Sequence, residues 1–210
     1  MVRRRFRIFL RSQFLWVSVL GIAWMLATTA SRPAFACQVG GNLVSNCGFT
    51  SGIAEWTVIA GSCSPDVSDG SSAVGNINCS GVISGFEESV SIRRCISPIS
   101  ASTVYAFGFD LRVVAASPTA PQCQMTWTTT DAAACGGTPL DTAGTGYFGV
   151  VAGPYTQSPS TSFNSGPSAA AVNLTIQCTA PNGSPYTVRF DDVFLGIGLT
   201  PVELQSVSVE

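Results

Sequence analysis

The chain has 210 residues, a formal net charge of −2 and no His. Without His, Ser-His-Asp, Cys-His and His-metal catalysis are all excluded. There is also no Lys, and six of the ten Arg (3, 4, 5, 7, 11 and 32) lie in the first 36 residues.

Those 36 residues read as a secretory leader. Arg3, Arg4, Arg5, Arg7 and Arg11 form a basic head, Phe14 to Ala30 is an apolar run, and Ala34-Phe35-Ala36 fits a small-x-small cleavage site before Cys37. Two alternatives stay open. An apolar run of 17 residues sits at the short limit of a membrane span, about 17–25 residues, and Cys37 after the cut admits a lipid-anchored form. Cleavage leaves 174 residues with four Arg against twelve acids, a net charge of −8. Such a chain has no basic surface for nucleic acid or for an anionic membrane. Expected domains are 1–36 leader, 37–198 β-sandwich and 199–210 tail or extra strand, with the product secreted, periplasmic or at the cell surface. Its oligomeric state is not legible.

All eight cysteines fall after the leader: Cys37, Cys47, Cys63, Cys79, Cys95, Cys123, Cys135 and Cys178. An even number behind a leader predicts a disulfide framework. No Cys-x-x-Cys pair is present, which argues against zinc. Eight cysteines allow 105 pairings; local spacing favours Cys123 with Cys135, across one hairpin.

The opening stretch, Asn42 to Trp56, has an apolar strand signal at Leu43-Val44, a Gly-containing turn, Phe49, and a Trp that opens the next strand over 56–60. A turn-rich loop is expected over 62–75, then one or two strands over 82–96, interrupted at Gly85. The clearest strand runs from Thr103 to Val114. Tyr105, Phe107, Phe109, Leu111 and Val113 fall on one face, and Val104, Ala106, Gly108, Asp110 and Arg112 on the other. Such a long period-two pattern marks a strand with one buried face. Further strands are expected at 123–130, 146–152, 169–178 and 186–197, with loops over 131–145 and 153–167. No amphipathic helix, internal repeat or second domain is evident. The fold class is all-β, an antiparallel β-sandwich of jelly-roll type stapled by disulfides.

The order of these signals resembles the carbohydrate-binding modules of the galactose-binding-like jelly-roll type, found beside bacterial xylanases and glucanases. Such modules open on Asn-Leu-x-x-Asn-x-x-Phe-Glu-x-Gly…Trp. Asn42, Leu43, Asn46, Phe49, Gly52 and Trp56 stand in those places. Tyr105 to Arg112 (YAFGFDLR) is similar to the family's middle strand, and Asp191-Asp192-Val193 to its closing strand. The resemblance covers Asn42 to Leu195 and implies a non-catalytic domain with a poly- or oligosaccharide partner. It also implies a structural calcium ion, for which Asp191 and Asp192 are the candidates. Thr50 replaces the family's Glu, which removes one of the carboxylates calcium favours, and Cys47 could staple by disulfide what calcium staples elsewhere.

Paired-carboxylate hydrolysis is the one common chemistry left open, but neighbours Glu87 and Glu88 would point to opposite faces of a strand, so the chain is read as non-catalytic. Sugar recognition needs flat aromatic faces and planar hydrogen-bonding groups. The candidates are Arg112 and Asp110 on the polar face of the central strand, with Trp127, Tyr147 and Tyr155; the alternatives are an Asp110–Arg112 ion pair on an exposed sheet face and, for Trp127, which shares a face with Met125, a place in the core. A structural or adhesive surface protein on the same sandwich, with no sugar site, is the alternative.

Overall fold

The computed structural model describes residues 41–66, 76–84, 87–116, 120–159, 161–181 and 185–197. The expected leader, Cys37 and the tail from residue 198 lie outside them. Thirteen strands are described: β1 (Thr57–Ala60), β2 (Ser62–Asp66), β3 (Asn76–Ser80), β4 (Val82–Ser84), β5 (Glu87–Ile96), β6 (Val104–Ala116), β7 (Gln122–Thr130), β8 (Pro139–Gly144), β9 (Phe148–Gly149), β10 (Thr156–Gln157), β11 (Thr161–Asn164), β12 (Ala171–Pro181) and β13 (Tyr186–Ile197). They form two antiparallel sheets. The first has the order β1-β5-β12-β7-β8, with β4 beside β5 and β9 beside β7; the second has the order β10-β6-β13-β3-β2, with β11 beside β6.

The predicted alternation of β6 holds. Tyr105, Phe107, Phe109, Leu111 and Val113 are all buried in the core. Facing them from the first sheet are Val90, Ile92, Met125, Trp127, Val172, Leu174 and Ile176. Rings bridge the two layers: Phe107 meets Trp127 edge-on with centroids 5.0 Å apart, and Trp127 stacks on Phe163 at 5.1 Å. A buried aromatic pair adds about 0.5–1.5 kcal/mol beyond its area.

Several expectations are corrected. Leu43 and Val44 are not in a strand. The opening stretch is a chain of tight turns, with Phe49 N–H donating to Asn46 O and Gly52 N–H to Phe49 O. Asn46 is their hub: its amide donates to Gly52 O and Ala54 O and accepts from Ser51 N–H. Gly52, at φ +60°, packs where a Cβ would come 2.6 Å from Pro65 Cγ, so a side chain there would be both strained and crowded. Part of the expected 62–75 loop is β2, and part of the expected 131–145 loop is β8. The stretch 153–167 carries β10 and β11 and buries Tyr155 and Phe163. β8 lacks apolar alternation because it is an edge strand exposed along its whole length.

The cysteine pairing also differs. Cys123 joins Cys178, its direct partner across β7 and β12, and Cys63 joins Cys79, its direct partner across β2 and β3. Cys135 joins Cys95, 40 residues away, not Cys123. Strand register sets the Cys123–Cys178 and Cys63–Cys79 pairs, whereas Cys135 meets β5 from the loop between β7 and β8. Cys47 is disulfide-bonded too, and no described cysteine is free.

Asn42 ties the opening stretch to the closing strand. Its amide donates to Val193 O and accepts from Leu195 N–H, while Leu43 N–H donates to Leu195 O. The clasp grips a bulge, where the β6–β13 register shifts between Asp191 and Phe194 and Asp192 takes φ +47°. The bulge is why Asp191 and Asp192, neighbours in a strand, are both buried.

Candidate functional site

Each sheet has an outer face, and the two differ in chemistry. On the second sheet, register places Asp110 opposite Asp191 and Arg112 opposite Arg189. Gln157 faces Asp110 from β10, and alternation brings Tyr155, one residue ahead of that strand, to the same side. Three of the sequence candidates, Asp110, Arg112 and Tyr155, are therefore brought together. This face is largely closed. Asp191 has no exposed surface, Phe194 lies over Gly108, and Tyr155 is buried although it stands apart from the core cluster. Arg112 Nε donates to Gly153 O at 2.9 Å, anchoring the segment that runs along the edge of β6.

Trp127 takes its core alternative, not the sugar platform. It lies in the core between Phe107 and Phe163, with no ring face left for a ligand. Tyr147 stays 50% exposed. It sits between β8 and β9, both of which pair with β7, at the level where Gln124 has neither strand as a partner.

The outer face of the first sheet is open and polar, and sequence reasoning did not single it out. Outward positions on β5, β12 and β7 carry hydroxyl and carboxamide groups. One row across the sheet is Ser91, Gln177 and Gln124, of which Ser91 is buried; the next is Thr57, Arg93, Thr175 and Thr126. Gln124 Nε2 donates to Gln177 Oε1 at 3.3 Å, and the Thr128 and Thr142 hydroxyls are 3.1 Å apart. Arg93 is exposed and is the one charged side chain described on this face. The signal was present in the sequence as Q-C-Q-M-T-W-T-T-T and N-L-T-I-Q-C-T, where polar residues alternate with buried ones. Only the register set the two patterns side by side.

At the end nearer the opening turns, Arg94 is buried and donates through Nη2 to Ser45 Oγ and Glu55 Oε2. Its guanidinium lies 5.8 Å from the Trp56 ring centre. The Ser45 hydroxyl, then Arg94, hold the Glu55 carboxyl below its ordinary value of 4.5. The cluster locks the opening stretch onto β5.

Asp191 and Asp192 supply two buried carboxylates, and Asp191 Oδ1 already accepts Asp192 N–H at 2.8 Å. Among the described residues, no group of three or more acidic, His or Cys side chains could hold a metal. Two carboxylates would supply part of the six to eight oxygens calcium takes, with carbonyl oxygens or water supplying the rest.

No family model matches the chain, and no curated protein matches it. Solved structures do. A xylan-binding domain of carbohydrate-binding family 22 is 10% identical with a TM-score of 0.55; the match covers 77% of this chain and 98% of that one. A family 61 module in complex with β-1,4-galactotriose is 14% identical with a TM-score of 0.51, covering 74% and 98%. The enzymatically active domain of bacteriophage CBA120 tailspike protein 4 is 15% identical with a TM-score of 0.55, and there the match spans only 21% of the longer chain. The chain has the fold of the β-sandwich carbohydrate-binding modules, in divergent sequence.

Proposed function

We propose that this is a secreted, non-catalytic module that binds a poly- or oligosaccharide across the outer face of its first sheet. The observation that carries the reading is the pair Gln177 and Gln124 beside the pair Thr175 and Thr126, set by register on two adjacent strands. Planar amides and hydroxyls at cross-strand spacing offer paired donors and acceptors to sugar hydroxyls. Tyr147 stands at the edge of the same sheet with half its surface exposed, available to stack on a pyranose. The leader and the disulfide framework support secretion. The fold likeness to modules described as xylan-binding or bound to galactotriose supports a sugar partner. The largely closed Asp110–Arg112 face serves in this reading as a structural surface.

One observation favours the rival, a structural or adhesive sandwich without a sugar site: no aromatic side chain lies on the described middle strands of the open face. A glycan array on the oxidised chain, followed by titration of Gln124→Ala and Gln177→Ala, decides between them. Glycan binding weakened by both substitutions supports the module; no binding to any glycan supports the rival.

A further inference from the structure

After the leader, the sequence keeps only four cations, all Arg. Arg94 is buried against Glu55. Arg112 and Arg189 face each other on the second sheet, one row from the facing pair Asp110 and Asp191. Arg93 differs from all three. It is exposed on the open face of the first sheet, with Thr57 and Thr175 as its cross-strand neighbours. Its one contact among the described residues is a long hydrogen bond from Nε to Thr175 Oγ1, at 3.4 Å. That leaves both terminal nitrogens on a surface whose other described groups are uncharged.

We propose that this face takes a glycan with an uncharged backbone bearing isolated carboxylates, as uronic acid branches, and that Arg93 reads the carboxylate. The inference rests on the sugar-binding reading of the same face. A neutral sugar does not require a guanidinium, because the Gln and Thr groups already supply donors and acceptors. The planar fork of Arg matches the two oxygens of a carboxylate in parallel hydrogen bonds, which are stronger than neutral ones. The number of carboxylates is limited by the rest of the molecule. With four Arg against twelve acids, the chain beyond the leader is strongly negative. A polyuronate with a charge on every sugar would meet that field along its whole length. A single carboxylate touching Arg93 feels the contact, while charges more than about 8–10 Å away are screened at physiological salt.

The test is calorimetric titration of the oxidised chain with a glucuronoxylan oligosaccharide, the same oligosaccharide after carboxyl reduction, and polygalacturonate. A glycan array of matched acidic and carboxyl-reduced pairs extends the test to other backbones. The acidic member of a pair is expected to bind about ten- to a hundredfold more tightly than its reduced counterpart. Arg93→Gln should bring that ratio close to one, Arg93→Lys should restore part of it, and polygalacturonate should bind more weakly than the branched ligand at low salt. Both substitutions fall on an exposed side chain, so the melting temperature should not move. Equal binding of acidic and reduced glycans by the unaltered chain, or an unchanged ratio in Arg93→Gln, overturns the role of Arg93 and leaves the sugar site standing. Tighter binding of polygalacturonate than of the branched ligand overturns the preference for isolated charges. If no glycan binds at all, the sugar-binding reading itself falls.

Discussion

Gln124 of β7 and Gln177 of β12 stand directly opposite one another on the open face, joined by a hydrogen bond of 3.3 Å from Nε2 to Oε1. The bond fixes the plane of two amides and leaves each with further donors and acceptors directed away from the sheet. Truncating either to Ala should cost about 0.5–1.5 kcal/mol of glycan affinity, roughly two- to twelvefold, with little change in melting temperature. Arg112→Ala should do the reverse. It removes the bond to Gly153 O and should cost about 1 kcal/mol of stability without altering glycan affinity. Titration and melting curves on the three variants separate the two faces. A loss of affinity confined to Arg112→Ala would move the site to the second sheet.

Glu55 makes part of the stability dependent on pH. Its carboxyl is held below 4.5, first by the Ser45 hydroxyl and then by Arg94. A group with a depressed folded value stabilises the native state above its unfolded value, and that contribution is lost as pH falls through the folded one. The melting temperature should therefore decline as pH drops from 4.5, and Glu55→Gln should flatten that decline. Arg94→Met removes the buried guanidinium from its place beside Trp56 and should remove the Glu55-dependent part of the decline as well. An unaltered pH profile in both variants would exclude the cluster as its source.

The Cys123–Cys178 bond closes 55 residues of chain between two neighbouring strands of the core. Replacing both cysteines with Ala should cost about 2–5 kcal/mol, read as a lower midpoint in denaturant. Alkylation before reduction should label none of the described cysteines, since none is free. A reduced protein that melts at the same temperature would contradict the stapling role.

Calcium at Asp191 and Asp192 can be tested in the same assay. The opening stretch and the closing strand are already tied by Asn42 to Val193 and Leu195, and by Val193 N–H to Cys47 O. With that clasp in place, EDTA should leave the melting curve unchanged. A fall in EDTA that calcium restores would instead establish a bound ion that stabilises the folded state by mass action.

Much of this protein was legible before any coordinates. The alternation in Tyr105 to Val113 determined a strand with one buried face, because a strand sends successive side chains to opposite sides. The Gly-containing turn and the aromatic residues Phe49 and Trp56 of the opening stretch were legible, whereas the strand expected at Leu43-Val44 is absent. The even set of cysteines indicated a framework. Tertiary structure decided what depends on register between distant segments. Cys123 belongs to Cys178 because β7 and β12 lie side by side, and Cys135, in the loop after β7, meets Cys95 on β5. Trp127 went to the core because Phe163, from a stretch expected to be loop, closes over it. The open face followed the same rule: Gln124, Gln177, Thr126 and Thr175 are ordinary polar positions on their own strands, and they become one surface only when β7 and β12 pair.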